Sequence, residues 1–294
     1  MDPRTIPEIL SLGDIPVGFG GCRNNGHGFE CCEYNVTVFD GNSSESVHEF
    51  SGDLVKVQHC SLSESNVAVL VQLEDISILQ DEQWRLRMFL AQIKERREKI
   101  LRSYAKTCLV DAGILASKAR DAARENDPLA AAWVKCAAYF LSDALFSINS
   151  RRPSPAHMLE ITRRLGKNDT NQTFSLVHQV LGLERASTSL LARMVKSTVG
   201  FSEMVEGAGN SKIIRRKCDY LVEHSLLADC YFYLGYVNRG NIMRIKNKVS
   251  KNSEYSHVLK VALDMESDHL VVEGQAGVLL ERTNELLSGI KDKK

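Results

Sequence analysis

All six prolines of this chain lie at or before Pro155, so residues 156–294 contain none. Glycine is as unevenly spread: eight of 19 fall within residues 1–52, and none between 53 and 112. A proline inside a helix removes a hydrogen bond and clashes with the preceding turn, whereas leucine- and alanine-rich sequence free of proline propagates helices. The chain therefore reads as an α+β domain over residues 1–104, a small mixed sheet with helices, followed by an all-α helical bundle over 105–294. Apolar residues make up 44% and charged residues 25%, which excludes a disordered chain and a disulfide-scaffold miniprotein. Lys+Arg and Asp+Glu both number 37, so no overall charge draws the chain toward nucleic acid.

In the first domain, IPVGFGG runs into the glycine-rich turn CRNNGHGF. CEYNVTVF then alternates, with Cys32, Tyr34, Val36 and Val38 on one face and Glu33, Asn35, Thr37 and Phe39 on the other. That is a period-2 strand with one buried face, ended by a turn at Asp40-Gly41-Asn42. Further strands are expected at Val47–Phe50, at LVKVQHC (54–60) and, as an edge, at ISIL (76–79), with a helix over 64–73. From Asp81 the period lengthens. Trp84, Leu86, Phe89, Leu90, Ile93, Ile100 and Leu101 form a helical stripe directed inward, with KERREK (94–99) on the solvated side. Later helices are expected at 104–124, 128–148, 155–166, 172–182, 186–206, 212–236, 239–249 and 254–288, with Gly166, Gly207 and Gly209 where helices end.

The stretch with the clearest chemistry is Gly20-Gly21, eleven intervening residues, then Glu33-Tyr34-Asn35 at the head of a strand. A glycine pair lets backbone N–H groups approach a phosphate, and Arg23 offers a charged fork to the same group. Residues 33 and 35 share a strand face, where oxygen donors suit Mg²⁺ held against a triphosphate. At these residues the chain resembles the nucleotidyltransferase superfamily related to DNA polymerase β, whose pattern is a glycine pair followed by acid–apolar–acid on a strand. The resemblance implies Mg²⁺-dependent transfer of a nucleotidyl group from a nucleoside triphosphate. It places Glu33 and Asn35 as catalytic and metal-holding residues, Gly20, Gly21 and Arg23 as nucleotide-binding residues, and Asp53 as a further metal ligand, with Asp40 as another candidate. Asn35 stands where the second acid belongs, so the expected transfer is weak, altered or lost, as in a pseudoenzyme. Ala-Ala-Ala-Trp133, Tyr139-Phe140-Leu141 and Asn149 with RRPSPAHML also resemble the helical domain that follows in small-substrate members. The alternative function is a non-catalytic helical interaction module that binds a protein or RNA partner.

Other constellations carry less. Cys22, His27, Cys31, Cys32, His59 and Cys60 crowd the first domain, but there is no C-x₂-C pair and adjacent Cys31 and Cys32 point to opposite strand faces, which argues against zinc. Arg152 and His157 stand at an Arg-x₄-His spacing that resembles the ribonuclease motif of HEPN-type helical domains; two intervening prolines favour a plain helix-start loop. Residues 238–252 are basic without an acid and are the candidate nucleic-acid contact, while Tyr231, Phe232, Tyr233 and Tyr236 read as helix-packing core. No run of 18 apolar residues and no basic-then-apolar leader is seen, so no membrane partner and a cytoplasmic location with reduced cysteines are expected. The long amphipathic helices can bury their stripes internally or across a homodimer.

Overall fold

The computed structural model describes residues 1–249 and 253–291. It divides into two compact units, one of residues 1–104 with 152–154 and the other of 105–151 with 155–294.

Unit 1 opens with the short helix α1 (Ile6–Ile9) and strand β1 (Val17–Gly20), which turns directly into α2 (Gly21–Asn24). Strands β2 (Tyr34–Val38), β3 (Glu45–Phe50) and β4 (Asp53–His59) follow, then α3 (Val67–Leu70), β5 (Ser77–Gln80) and α4 (Arg85–Glu95). The helix expected over 64–73 is thus a single turn. The sheet order is β3-β4-β2-β1-β5, with β2 and β4 parallel and the other pairs antiparallel. β3 and β4 form a hairpin closed by Ser51 and Gly52, at φ 51° and 84°. Two consecutive positive φ values give the turn whose twist matches that of its strands.

One sheet face carries Val17, Phe19, Tyr34, Val36, Val38, Val55 and Val57, packed on Ile6. The other face is covered as well. Thr37 is buried, Phe39 meets Phe89 of α4 edge-on at 6.1 Å, and Ile76 lies against Gly18 and Gly20. β2 is therefore buried on both faces, not one, because α4 lays Leu86, Phe89 and Ile93 inward. Trp84 leaves that stripe: it is 60% exposed, at φ 61° before the first turn of α4. The period placed it inward, but the left-handed backbone there swings it off the helical path.

Helix α5 (Arg97–Arg124) leads into unit 2, which continues with α6 (Ala130–Ile148), α7 (Met158–Thr162), α8 (Asp169–Leu181), α9 (Thr188–Glu206), α10 (Ser211–Glu223), α11 (Leu227–Arg244), α12 (Ser253–Ala262) and α13 (His269–Lys291). Its core holds Trp133, Tyr139, Phe146, Phe201, Tyr231 and Phe232, each no more than 1% exposed. Among the described residues α6 is the one helix long and apolar enough to cross a bilayer, and 89% of its apolar window is buried within the protein. The helix expected over 212–236 breaks at Ser225 (φ 58°), and the one over 239–249 is the end of α11 instead. The helix expected over 254–288 breaks at Asp264 (φ 46°) and restarts where the Asp268 carboxylate accepts from the Leu270 N–H at 2.9 Å. Aspartate tolerates the left-handed region and caps helix starts, so two acids do there what glycine and proline do elsewhere.

Candidate functional site

The sheet register sets the arrangement of the Gly20–Asn35 region. Gly20 is the Cα partner of Asn35 across β1 and β2, and Asn35 is that of Lys56 across β2 and β4. Gly20 is still extended at φ −130°, while Gly21 turns to φ 77° to start α2. A Cβ on Gly21 would lie 2.6 Å from the Asn35 Nδ2. Glycine is thus required twice over at position 21, by its backbone and by its neighbour. The Asn35 Nδ2 in turn donates to the Glu33 Oε1 at 3.3 Å, and Glu33 is only 7% exposed. Gly21, Asn35 and Glu33 therefore converge.

Arg23 faces elsewhere. Its Nε donates to the Cys32 carbonyl at 2.5 Å and its Nη2 to the Glu30 carbonyl at 2.9 Å, and the guanidinium lies 4.5 Å from the centre of the Tyr34 ring. Tyr34 projects from the sheet face opposite Asn35, so Arg23 braces the 23–32 loop and is not the phosphate fork expected of it. Asp53 is a second correction. Val55 pairs with Tyr34, and a period of two puts Asp53 on that same face. There its carboxylate accepts from the Met1 amino group at 3.0 Å, away from Glu33 and Asn35. Asp40 sits beyond the other end of β2, where its Oδ2 lies 2.8 Å from the His59 Nδ1. Burial raises the Asp40 carboxyl, but hydrogen bonds from Asn42 and His59 outweigh it and hold the group below its ordinary value.

The side chain that does share the face of Asn35 is Lys56, whose Nζ lies 3.1 Å from the Glu45 Oε2. Around Asn35 the face thus presents the Glu33 carboxylate, the Asn35 amide and Lys56, with Glu45 on β3 holding the lysine. With the Asn35 amide turned so that its Oδ1 in place of its Nδ2 lies beside the Glu33 carboxylate, that set fits a single Mg²⁺ that keeps water or phosphate oxygens as its remaining ligands. It does not fit a pair of metals, because a cation stands where the second strand would supply an acid.

The remaining candidates make other contacts. His157 is 3% exposed, with Nδ1 3.4 Å from the Glu160 Oε2, and Arg152 lies over the Tyr104 ring at 5.2 Å. In the basic segment 238–252, Arg239 is bound to Asp143 at 2.6 Å and Arg244, itself exposed, pairs with Glu206; Lys246 and Lys248 are exposed as well, and Ser250, Lys251 and Asn252 lie outside the described residues. All eight cysteines are buried, and none of them is in a disulfide. Sequence reasoning missed Lys135, a lysine in the apolar run WVKCAAYF. It is buried, and its Nζ donates to the carbonyls of Leu181, Leu263 and Asp264 and to the Tyr231 hydroxyl at 2.7–2.9 Å. A strongly polar residue amid apolar neighbours was the available signal.

No protein-family model matches this chain, and no curated protein matches it.

Proposed function

We propose that unit 1 is a nucleotidyltransferase-like domain that binds a nucleoside triphosphate together with one Mg²⁺ and has lost nucleotidyl transfer. The observation that carries this reading is the convergence of the Gly20-Gly21 bend, Asn35 and Glu33 on adjacent strands. Its order along the chain, strand then glycine pair then acid-bearing strand, is the order of the family it resembles.

The roles follow from the residues. Glu33 and the Asn35 carbonyl oxygen would hold the cation, which supplies neutralising charge to phosphate oxygens. Without a cation, Glu33 would repel a triphosphate. The amide at 35 keeps an oxygen donor but contributes no charge, and Lys56 replaces the third acid. Binding therefore survives where two-metal chemistry does not.

The test is a thermal shift of the full chain with ATP, CTP, GTP or UTP at millimolar concentration plus Mg²⁺, together with pyrophosphate release. A ligand that binds only the folded state raises the melting temperature. The expected result is a Mg²⁺-dependent rise with at least one nucleotide, lost in Glu33→Gln, and no pyrophosphate above background. No shift with any of the four removes the proposal, and sustained pyrophosphate release would show that transfer has been kept.

A further inference from the structure

Two cysteines stand at the neck of the loop that joins β1 to β2. Cys22 directly follows Gly21, and Cys32 directly precedes Glu33. Their Sγ atoms lie within 4.8 Å of each other, and neither is in a disulfide. The antiparallel pairing of β1 with β2 brings them there: Gly20 is opposite Asn35, and the two chain directions continued past that pair bring residues 22 and 32 abreast. Hydrogen bonds hold the neck shut. The Arg23 Nε donates to the Cys32 carbonyl at 2.5 Å, and the His27 N–H to the Cys22 carbonyl at 3.1 Å.

The loop beyond the neck lies open to solvent. Asn25, Gly26, His27, Gly28 and Glu30 are exposed, and Gly26 turns at φ 71°. Cys22 keeps 7% of its surface and Cys32 1%, so a small oxidant entering from the loop meets Cys22 first. Cys32 is then the thiol within reach. The sulfurs of a disulfide are about 2.05 Å apart, so bonding the pair takes side-chain rotation and a short inward shift of the neck, not a refolded strand.

We propose that Cys22 and Cys32 are a reversible redox pair, oxidised by hydrogen peroxide to a disulfide that resets the contact between Gly21 and Asn35. The Cys22 thiolate attacks one peroxide oxygen; the O–O bond breaks, a sulfenic acid forms and the other oxygen leaves as water. The Cys32 thiolate then attacks that sulfur; the S–S bond forms, the S–O bond breaks and a second water leaves. Sulfur is oxidised and peroxide reduced, so two thiols and one hydrogen peroxide become one disulfide and two waters. In a reducing compartment such a bond is transient, which suits sensing and not scaffolding. Gly21 has no slack to absorb the change, because the Asn35 Nδ2 lies 2.6 Å from where a Cβ would stand. Drawing Cys22 toward Cys32 therefore moves the Gly21 amide relative to Asn35 and Glu33. That oxidation controls nucleotide binding rests on the proposed nucleotide site; that the disulfide forms and displaces these groups does not.

The test uses the full chain, first reduced and then treated with hydrogen peroxide. Thiols that remain are alkylated with iodoacetamide after unfolding, and the peptides are mapped by mass spectrometry. The expected product joins Cys22 to Cys32 with the loss of two hydrogens, leaves the remaining cysteines alkylated and reverts with dithiothreitol. Nitrogen-15 NMR of the oxidised chain should show the Gly21 backbone amide and the Asn35 side-chain amide displaced, and reduction should return both. Cys32→Ala should form no link and keep both signals, under peroxide, where they stand without it; Cys22→Ala serves the same purpose if the first variant does not fold. The inference is overturned if Cys22 and Cys32 stay alkylated, if Cys22 ends as sulfinic or sulfonic acid, if it links to Cys31 or Cys60 instead, or if the disulfide leaves the two amides unmoved. The thermal shift with nucleotide and Mg²⁺ should be kept in the reduced chain and lost in the oxidised one. A shift absent from the reduced chain as well removes the nucleotide reading alone, while an equal shift in both overturns control of that site by the disulfide.

Discussion

Replacing Lys135 with methionine should erase a pH dependence that the native fold carries. The Lys135 ammonium is enclosed by α6, α8, α11 and the turn after α12, and it donates to four acceptors there. Burial is the largest influence on it, and the nearby Arg185 cation acts in the same direction. Together they outweigh Asp264, Glu184 and Glu266 and bring the group from 10.5 down to about 7. A lysine depressed in this way holds fewer protons folded than unfolded between those two values, so its contribution makes stability rise with pH across that window and imposes its full penalty below it. One proton of difference corresponds to about 1.4 kcal/mol per pH unit, which gives a gain of about 2–3 kcal/mol between pH 7.5 and 9.5. Urea unfolding of the parent and of Lys135→Met at pH 7.5, 8.5 and 9.5 measures it, and the parent-minus-variant difference should widen by that amount. A difference that stays flat would refute the reasoning, because it would mean that the four acceptors keep the ammonium charged throughout. At pH 7.5 the variant strips the Leu263 carbonyl of its Lys135 donor, while Leu181 and Asp264 retain hydrogen bonds from Tyr231 and Arg185. One orphaned buried carbonyl costs about 1–3 kcal/mol.

Three further outcomes follow from the packing. A Cβ on Gly235 would collide with the Tyr139 hydroxyl, so Gly235→Ala should lose about 1–3 kcal/mol in chemical denaturation even though alanine favours helix. Gly21→Ala should be destabilised by its φ of 77° and by the Asn35 amide, and combining it with Asn35→Ala should recover part of that loss; a strictly additive double mutant would show that the two do not touch. Burial, with Arg163 adding to it, pulls the His178 imidazole down to about 4, so its share of stability is present above pH 6.5 and lost as pH falls toward 4. Proton NMR titration should find that ring still neutral at pH 5.5.

The mixed sheet and the helical half were legible because their signals are local. The alternation from Cys32 to Phe39, the Asp40-Gly41 turn and the proline-free second half each act over a few residues. The helix breaks at Ser225 and Asp264 were not, because a serine and an aspartate enter the left-handed region where the usual marker is glycine. The burial of both faces of β2 and the exposure of Trp84 depend on how α4 seats, which its own period does not state. At the candidate site, the residue types of Gly21, Glu33 and Asn35 could be read, but which acids join them is a matter of register. Once Val55 is paired with Tyr34, Asp53 must fall on the core face and Lys56 beside Asn35. The residue type of Arg23 suits a phosphate, and only the path of the 23–32 loop directs it to the carbonyls of Glu30 and Cys32.

The most direct measurement of the central claim is a nitrogen-15 NMR titration that follows the Gly21 backbone amide and the Asn35 side-chain amide as nucleoside triphosphate with Mg²⁺ is added. Both signals should move together and saturate at one nucleotide per chain, and neither should move when Mg²⁺ is withheld. Saturable binding that leaves these two amides untouched would place the nucleotide elsewhere and contradict the account.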